Sequence, residues 1–147
     1  MLFQVCRRKE PAQLNVADIL EEDGIPYLYF KHDGKDQTTK ADSSTRRVSI
    51  HGSLIQLGFM DYVSQIKAAR HVFLFPQLPR ANNNPGDSVG KWFARLKKKK
   101  ELNDPLLALY STRHTGITRL NNIGGPEKIR MMITGHASQG IHGKVYD

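Results

Sequence analysis

The stretch running from Tyr110-Ser111-Thr112-Arg113-His114-Thr115 through Gly124-Gly125-Pro126-Glu127 to Gly135-His136, with Tyr146 ten residues further on, decides how this sequence is read. A helix from about Ser111 ends at Gly124, since glycine readily takes the left-handed conformation that closes helices. Pro126 opens the next helix, where a missing amide proton costs nothing because first-turn amides lack helical partners. That helix carries Ile129, Met132 and Ile133 and stops at Gly135. The residues from Gly140 to Asp147 are too few to assign.

Working back towards the N-terminus, Asp87 or Ser88 is expected to cap a helix whose apolar stripe is Val89, Trp92, Phe93 and Leu96. It runs into Lys97-Lys98-Lys99-Lys100, lysines that suit a helix C-terminus and its dipole. Pro76 to Gly86 reads as a loop and His71 to Phe75 as a short apolar segment. Ser53 starts a helix with Ile55, Phe59, Tyr62 and Ile66 on one face. Further upstream, Ile25-Pro26-Tyr27-Leu28-Tyr29-Phe30 is an aromatic-rich strand after a turn at Asp23-Gly24. Asp33-Gly34 signals a hairpin, Gln37 to Lys40 pairs back, and Arg46 to Ile50 makes a third strand. Glu10 to Ile19 reads as a short helix opening near Pro11. The expected fold class is therefore α+β, mainly helical, with a small three-stranded antiparallel sheet, and the helix stripes are expected to be core.

The 147 residues suffice for one domain with a real core. With 39% hydrophobic and 24% charged residues, composition excludes disorder and fibrous repeats. An excess of Lys and Arg, 22 against 14 acidic residues, gives +8 and favours a polyanionic partner. No stretch has the length of a membrane span, and the start lacks a signal-peptide plan. Cys6, the single cysteine, cannot form an internal disulfide, which fits a reducing, cytoplasmic setting. It also excludes a thiolate zinc site, while His114, His136 and His142 lack a carboxylate or cysteine partner at helical spacing.

The segment Tyr110 to Tyr146 resembles the tyrosine recombinases, and phage-type integrases in particular. Their hallmark is His-x-x-Arg-His, then Gly-His, then a tyrosine about ten residues on. Arg113, His136 and Tyr146 fall on those places. Lys40-Ala41-Asp42-Ser43-Ser44-Thr45-Arg46-Arg47-Val48-Ser49-Ile50 looks like the family's Lys-Thr-x-x-Ser-x-Arg-x-Val-Pro-Ile hairpin. Arg7-Arg8-Lys9-Glu10-Pro11-Ala12-Gln13-Leu14 is similar to its Gly-x-Arg-x-x-Glu-x-x-x-Leu element, with Val5 in place of the glycine. On that register Arg7 rather than Arg8 is the first catalytic arginine. The resemblance spans Arg7 to Tyr146 and implies one catalytic domain over residues 1–147, without the family's N-terminal clamping domain or C-terminal tail.

What the resemblance implies is metal-independent, cofactor-free cleavage and rejoining of DNA through a 3′-phosphotyrosyl link formed by Tyr146. The chemistry suits the residue types. Guanidinium forks match two phosphate oxygens at once, so Arg7 and Arg113 would clamp the charge that builds on phosphorus. His136 would donate a further hydrogen bond, and Lys40 would protonate the leaving 5′ oxygen. Tyr110 departs from the family, which usually has histidine there; a phenol of ordinary pKa, about 10, is a poor base at neutral pH. His114 is expected to be a buried, hydrogen-bonded structural residue. The partners implied are duplex DNA and further copies in a synaptic tetramer, with the lysine run gripping backbone phosphate. The alternative is a non-catalytic DNA-binding remnant of an integrase that keeps the fold; a DNA-relaxing topoisomerase uses similar chemistry, but the hairpin and the Gly-His-to-Tyr spacing look more like integrases.

Overall fold

A computed structural model describes residues 1–32, 37, 45–80 and 84–136. Within them lie a short helix α1 (Lys9–Ala12), a 3-10 turn at Val16–Asp18, and strands β1 (Ile19–Glu22), β2 (Ile25–Phe30) and β3 (Arg46–Ser49). Helices α2 (Gly52–Gln56), α3 (Phe59–Ala68), α4 (Asp87–Lys99), α5 (Ser111–Ile123) and α6 (Glu127–Thr134) follow. The α+β class with a small three-stranded antiparallel sheet is what the sequence predicts.

Which segments make the sheet differs from expectation. The order is β1-β2-β3, with Ile19 opposite Leu28 and Leu28 opposite Val48. Thus the predicted helix from Glu10 to Ile19 is cut short, and its last residue opens a strand. The cause lies at Asp23-Gly24, where both residues have positive φ (52° and 75°). A two-residue loop of that kind is the mirror-image turn whose twist matches paired strands, so it forces strand on both sides. Asn15 and Asp18 cap the intervening 3-10 turn, the Asn15 amide donating to Asp18 Oδ2 at 2.8 Å. Gln37 is not in a strand; its side-chain amide donates to Gln13 O and to the Asp18 carboxylate. Residues 33–36 and 38–44, including the expected hairpin turn and Lys40, lie outside the described residues.

Period-two alternation in β2 sends Leu28 and Phe30 inward, where they join Cys6, Leu14, Val48, Ile50, Val63 and Leu74 in the core. The expected single helix after Ser53 is two helices, broken at Leu57-Gly58, and its cap is the His51 side chain accepting from the Ser53 amide. Ile55 is exposed, so the inner face of this pair is carried by Val63 and Ile66 with Phe59 and Tyr62 beside them. In α4 no side chain caps the start, and Trp92 faces solvent instead of joining the stripe. In α6 only Ile133 packs on the core; Ile129 and Met132 are exposed. The boundaries of α5 and α6 match the sequence reading to within a residue.

Candidate active site

Arg7 follows directly on a kink in the chain. Val5 has φ +47°, a conformation in which a β-branched residue is strained and glycine is at ease. The resembled motif has glycine at this place. The kink turns the Val5 carbonyl towards α5, where it accepts a hydrogen bond from Arg113 Nη1. Gly116, one turn along α5, allows this approach: a Cβ there would lie 3.0 Å from Leu2 O and 3.1 Å from Val5 Cγ2.

Arg113 is the largest fully buried side chain, with 0% exposure. Its Nη2 donates to Thr134 O at 2.6 Å and to His136 Nε2 at 3.3 Å. Arg7 reaches the same end of α6, its Nη2 donating to Gly135 O at 3.2 Å and its Nη1 to Glu10 Oε1 at 3.1 Å. Glu10 also accepts the backbone amide of Arg7. Both arginines thus hold the end of α6, where Arg46 joins them, and Gly135 (φ +65°) turns the chain so that His136 returns to Arg113. The structure brings Arg7, Arg113 and His136 into one cluster. Arg8 does not belong to it; its Nη2 pairs with Asp87 Oδ1 at 2.7 Å on α4.

Two residues not singled out from sequence complete the support. Arg46, on β3, donates to both oxygens of Glu10 at 2.9 and 3.0 Å and to Ile133 O at 3.0 Å, while its guanidinium lies over the Phe30 ring. Both belong to motifs quoted above, Glu10 three residues after Arg7 and Arg46 within the Ser-x-Arg-x-Val pattern, but their pairing across 36 residues is not visible in either.

The electrostatics follow from three guanidinium groups around one carboxylate. Burial alone would raise the Glu10 carboxyl; the hydrogen bonds and charge of Arg46, with Arg7 added, outweigh it and hold the group below its ordinary value. Arg113 is pushed down by burial and then by the like charge of Arg7, yet a guanidinium stays protonated. His136 is lowered by partial burial and then by Arg113, Arg7 and Arg46, so its imidazole is neutral at pH 7. With Nε2 accepting from Arg113, the ring proton sits on Nδ1, free to donate outward. The cluster carries net positive charge and suits an oxyanion.

Tyr110 stands immediately before α5 and is exposed, edge-on to the His114 ring at 4.9 Å. His114 is likewise exposed, contrary to the buried role expected for it; as the next residue it is turned roughly 100° round α5 from the buried Arg113. Tyr110, Arg7, Arg8, Lys9, Phe93 and Lys97 line a cleft of about 730 Å³ with a basic rim. Lys98, Lys99 and Lys100 are exposed, whereas Lys97 Nζ donates to Asp104 O at 2.9 Å. Lys40, His142 and Tyr146 lie outside the described residues. Among those described, no group of His, Cys, Asp and Glu is placed to hold a metal ion, and no helix is long and apolar enough to cross a membrane.

No protein-family model matches the chain, and no curated protein matches it in sequence. Solved structures do resemble it. The crystal structure of XerA recombinase superposes with a TM-score of 0.64 at 18% identity, over 93% of this chain and 46% of that one. Two structures of the Tn1549 transposon integrase, in complex with transposon right end DNA and with circular intermediate DNA, give 0.63 at 23% and 24% identity. Each is matched over 93% of this chain and 49% of its own. The chain therefore spans about half the length of the structures it matches. Across that span it has a tyrosine-recombinase-like fold.

Proposed function

We propose that this chain is the catalytic domain of an integrase-like enzyme that cuts and rejoins duplex DNA at specific sites through a tyrosine nucleophile. The observation that carries the reading is the convergence of Arg7, Arg113 and His136 on the end of α6 in this fold. The hydroxyl oxygen of Tyr146 attacks phosphorus and releases its proton to solvent water, the bond to the 5′ oxygen breaks, and Lys40 supplies that oxygen with a proton. The strand is left joined to Tyr146 through its 3′ phosphate. A 5′ hydroxyl from a second strand reverses the step, with no net hydrolysis and no need for ATP. Arg7 and His136 offer donors to a phosphate from the open side; Arg113 joins them once it exchanges a carbonyl bond for a phosphate oxygen. Tyr110 orients the phosphate by hydrogen bond and is not its base. Synaptic assembly into a tetramer belongs to the same reading.

One observation favours a second reading, a DNA-binding domain without turnover: both Nη atoms of Arg113 are occupied by backbone carbonyls and the residue is sealed. A nicked suicide duplex separates the two. The enzyme reading expects a covalent DNA adduct with wild type and none with Tyr146→Phe. DNA binding without adduct in either protein, also with a clamping domain supplied, selects the second reading; equal adduct in both removes Tyr146 from its role.

A further inference from the structure

Between α1, β2 and the core runs a mainly apolar cleft of about 470 Å³, with Arg8 among its lining residues. Leu14, Leu28, Leu74, Phe59 and Phe75 form its walls, and the three leucines are core residues almost without exposure. One buried polar side chain lines it. Gln4 is 5% exposed, and its Nε2 meets no hydrogen-bond partner among the described residues. A buried amide proton without an acceptor has lost its hydration with nothing in exchange, and native interiors rarely leave such groups unpaired. Volume, apolar walls and a buried donor without a partner are together the make-up of a small-molecule site.

We propose that this cleft binds a compact, mainly apolar molecule carrying one uncharged oxygen acceptor, such as an aryl or alkyl ketone, which takes the Gln4 amide proton. The walls favour an uncharged ligand: the cationic side chain among the lining residues, Arg8, is already paired with Asp87, and a buried charge without a partner is costly. The position gives the site a consequence. Gln4 and Cys6 flank Val5, whose carbonyl holds Arg113, and Thr112, beside Arg113 on α5, also lines the cleft. An occupant therefore touches both segments that fix Arg113. The inference does not depend on the DNA reading, and its test contains no DNA.

The probes are acetophenone and ethylbenzene, nearly equal in shape and differing in the acceptor. Titrated into the ¹⁵N-labelled chain, acetophenone is expected to bind saturably, to shift the Gln4 side-chain amide and the Val5 backbone amide, and to bind about five-fold tighter than ethylbenzene, the ratio one net hydrogen bond confers. In Gln4→Leu that preference should vanish while the hydrocarbon still binds and the thermal midpoint does not fall. Should that variant not fold, Gln4→Met serves, and the ketone-to-hydrocarbon ratio in wild type stands without any variant. Equal affinity for the two probes, absence of saturable shifts, shifts confined to other surfaces, or a preference that survives in Gln4→Leu each overturns the proposal. So does a slowly exchanging water on Gln4 Nε2 that the ketone fails to displace.

Discussion

Glu10 and Arg46 form a two-point ion pair, with both carboxylate oxygens taken by both Nη atoms at 2.9 and 3.0 Å and each side chain 4% exposed. It ties α1 to β3, and through Arg46 Nε to α6, so these three elements share one buried link beside the cluster of Arg7, Arg113 and His136. Removing one partner leaves the other charge buried, which typically costs about 3–5 kcal/mol. Arg46→Met and Glu10→Gln should each lower stability by that order in urea unfolding. The pH response follows from the sign of the Glu10 shift. A carboxyl held below its ordinary value contributes stability that is complete above the unfolded value and is lost as pH falls through the folded one. The acid limb of wild-type stability should therefore be steeper than that of Glu10→Gln; parallel limbs would contradict the assignment.

Gly135 is constrained twice. Its φ of +65° suits glycine, and a Cβ would lie 2.8 Å from Arg46 Nη1 and 2.9 Å from its Cζ. Gly135→Ala combines roughly 1–2 kcal/mol of left-handed strain with displacement of the Arg46 guanidinium from Glu10. The expected result is a loss of more than about 2 kcal/mol, partly shared with Arg46→Met. A double-mutant cycle on the two substitutions should show strong non-additivity.

At Val5 the usual ranking of alanine over glycine should invert. Away from positive φ, glycine is the less stable by roughly 0.5–1 kcal/mol. Here φ is +47°, so Val5→Gly is relieved of strain that Val5→Ala retains. We expect Val5→Gly to be more stable than Val5→Ala by about 1 kcal/mol in chemical denaturation. Val5→Ala as the more stable variant would show that the kink is not maintained in solution.

The legible parts of this fold are those with local causes. Gly124, Pro126 and Gly135 bound α5 and α6 because helix ends obey near-neighbour chemistry, and the resemblance to the tyrosine recombinases put Arg113 with His136. Strand β1 was not legible: Ile19-Leu20-Glu21-Glu22 lacks alternation, and only its pairing with β2 makes it a strand. Periodicity marked Trp92, Ile129 and Met132 as core because it identifies a face without saying what covers it; all three are exposed. The Glu10–Arg46 pair and the sealing of Arg113 by Val5 O and Thr134 O arise from contacts across the chain, which residue types do not announce.

Helix α4 offers a direct test of polyanion binding. Lys91, Arg95, Lys98 and Lys99 are all exposed on it. If they lie along a duplex backbone, each phosphate they neutralise contributes about 0.9 to the slope of log K against log salt. Lys98→Ala with Lys99→Ala should flatten that slope by roughly 2 and weaken binding to unrelated sequences equally. An unchanged slope would place the DNA elsewhere.

His136 links charge to the proposed chemistry. Partial burial and then the fields of Arg113, Arg7 and Arg46 hold its imidazole below the ordinary histidine value. A group depressed in this way contributes stability that is present above its unfolded value and declines as pH falls towards the folded one. In an NMR titration His136 should protonate below the ordinary histidine value, and Arg7→Gln should move its midpoint upward by removing a like charge. The same titration bears on mechanism. Neutral His136 accepts from Arg113 at Nε2, whereas the protonated ring must release that bond and frees Arg113 Nη2 for a phosphate oxygen. Adduct formation on the suicide duplex should therefore rise on acidification through the His136 midpoint, until the Glu10 pair fails. A rate that stays flat across that midpoint would show that the Arg113–His136 contact does not gate the site.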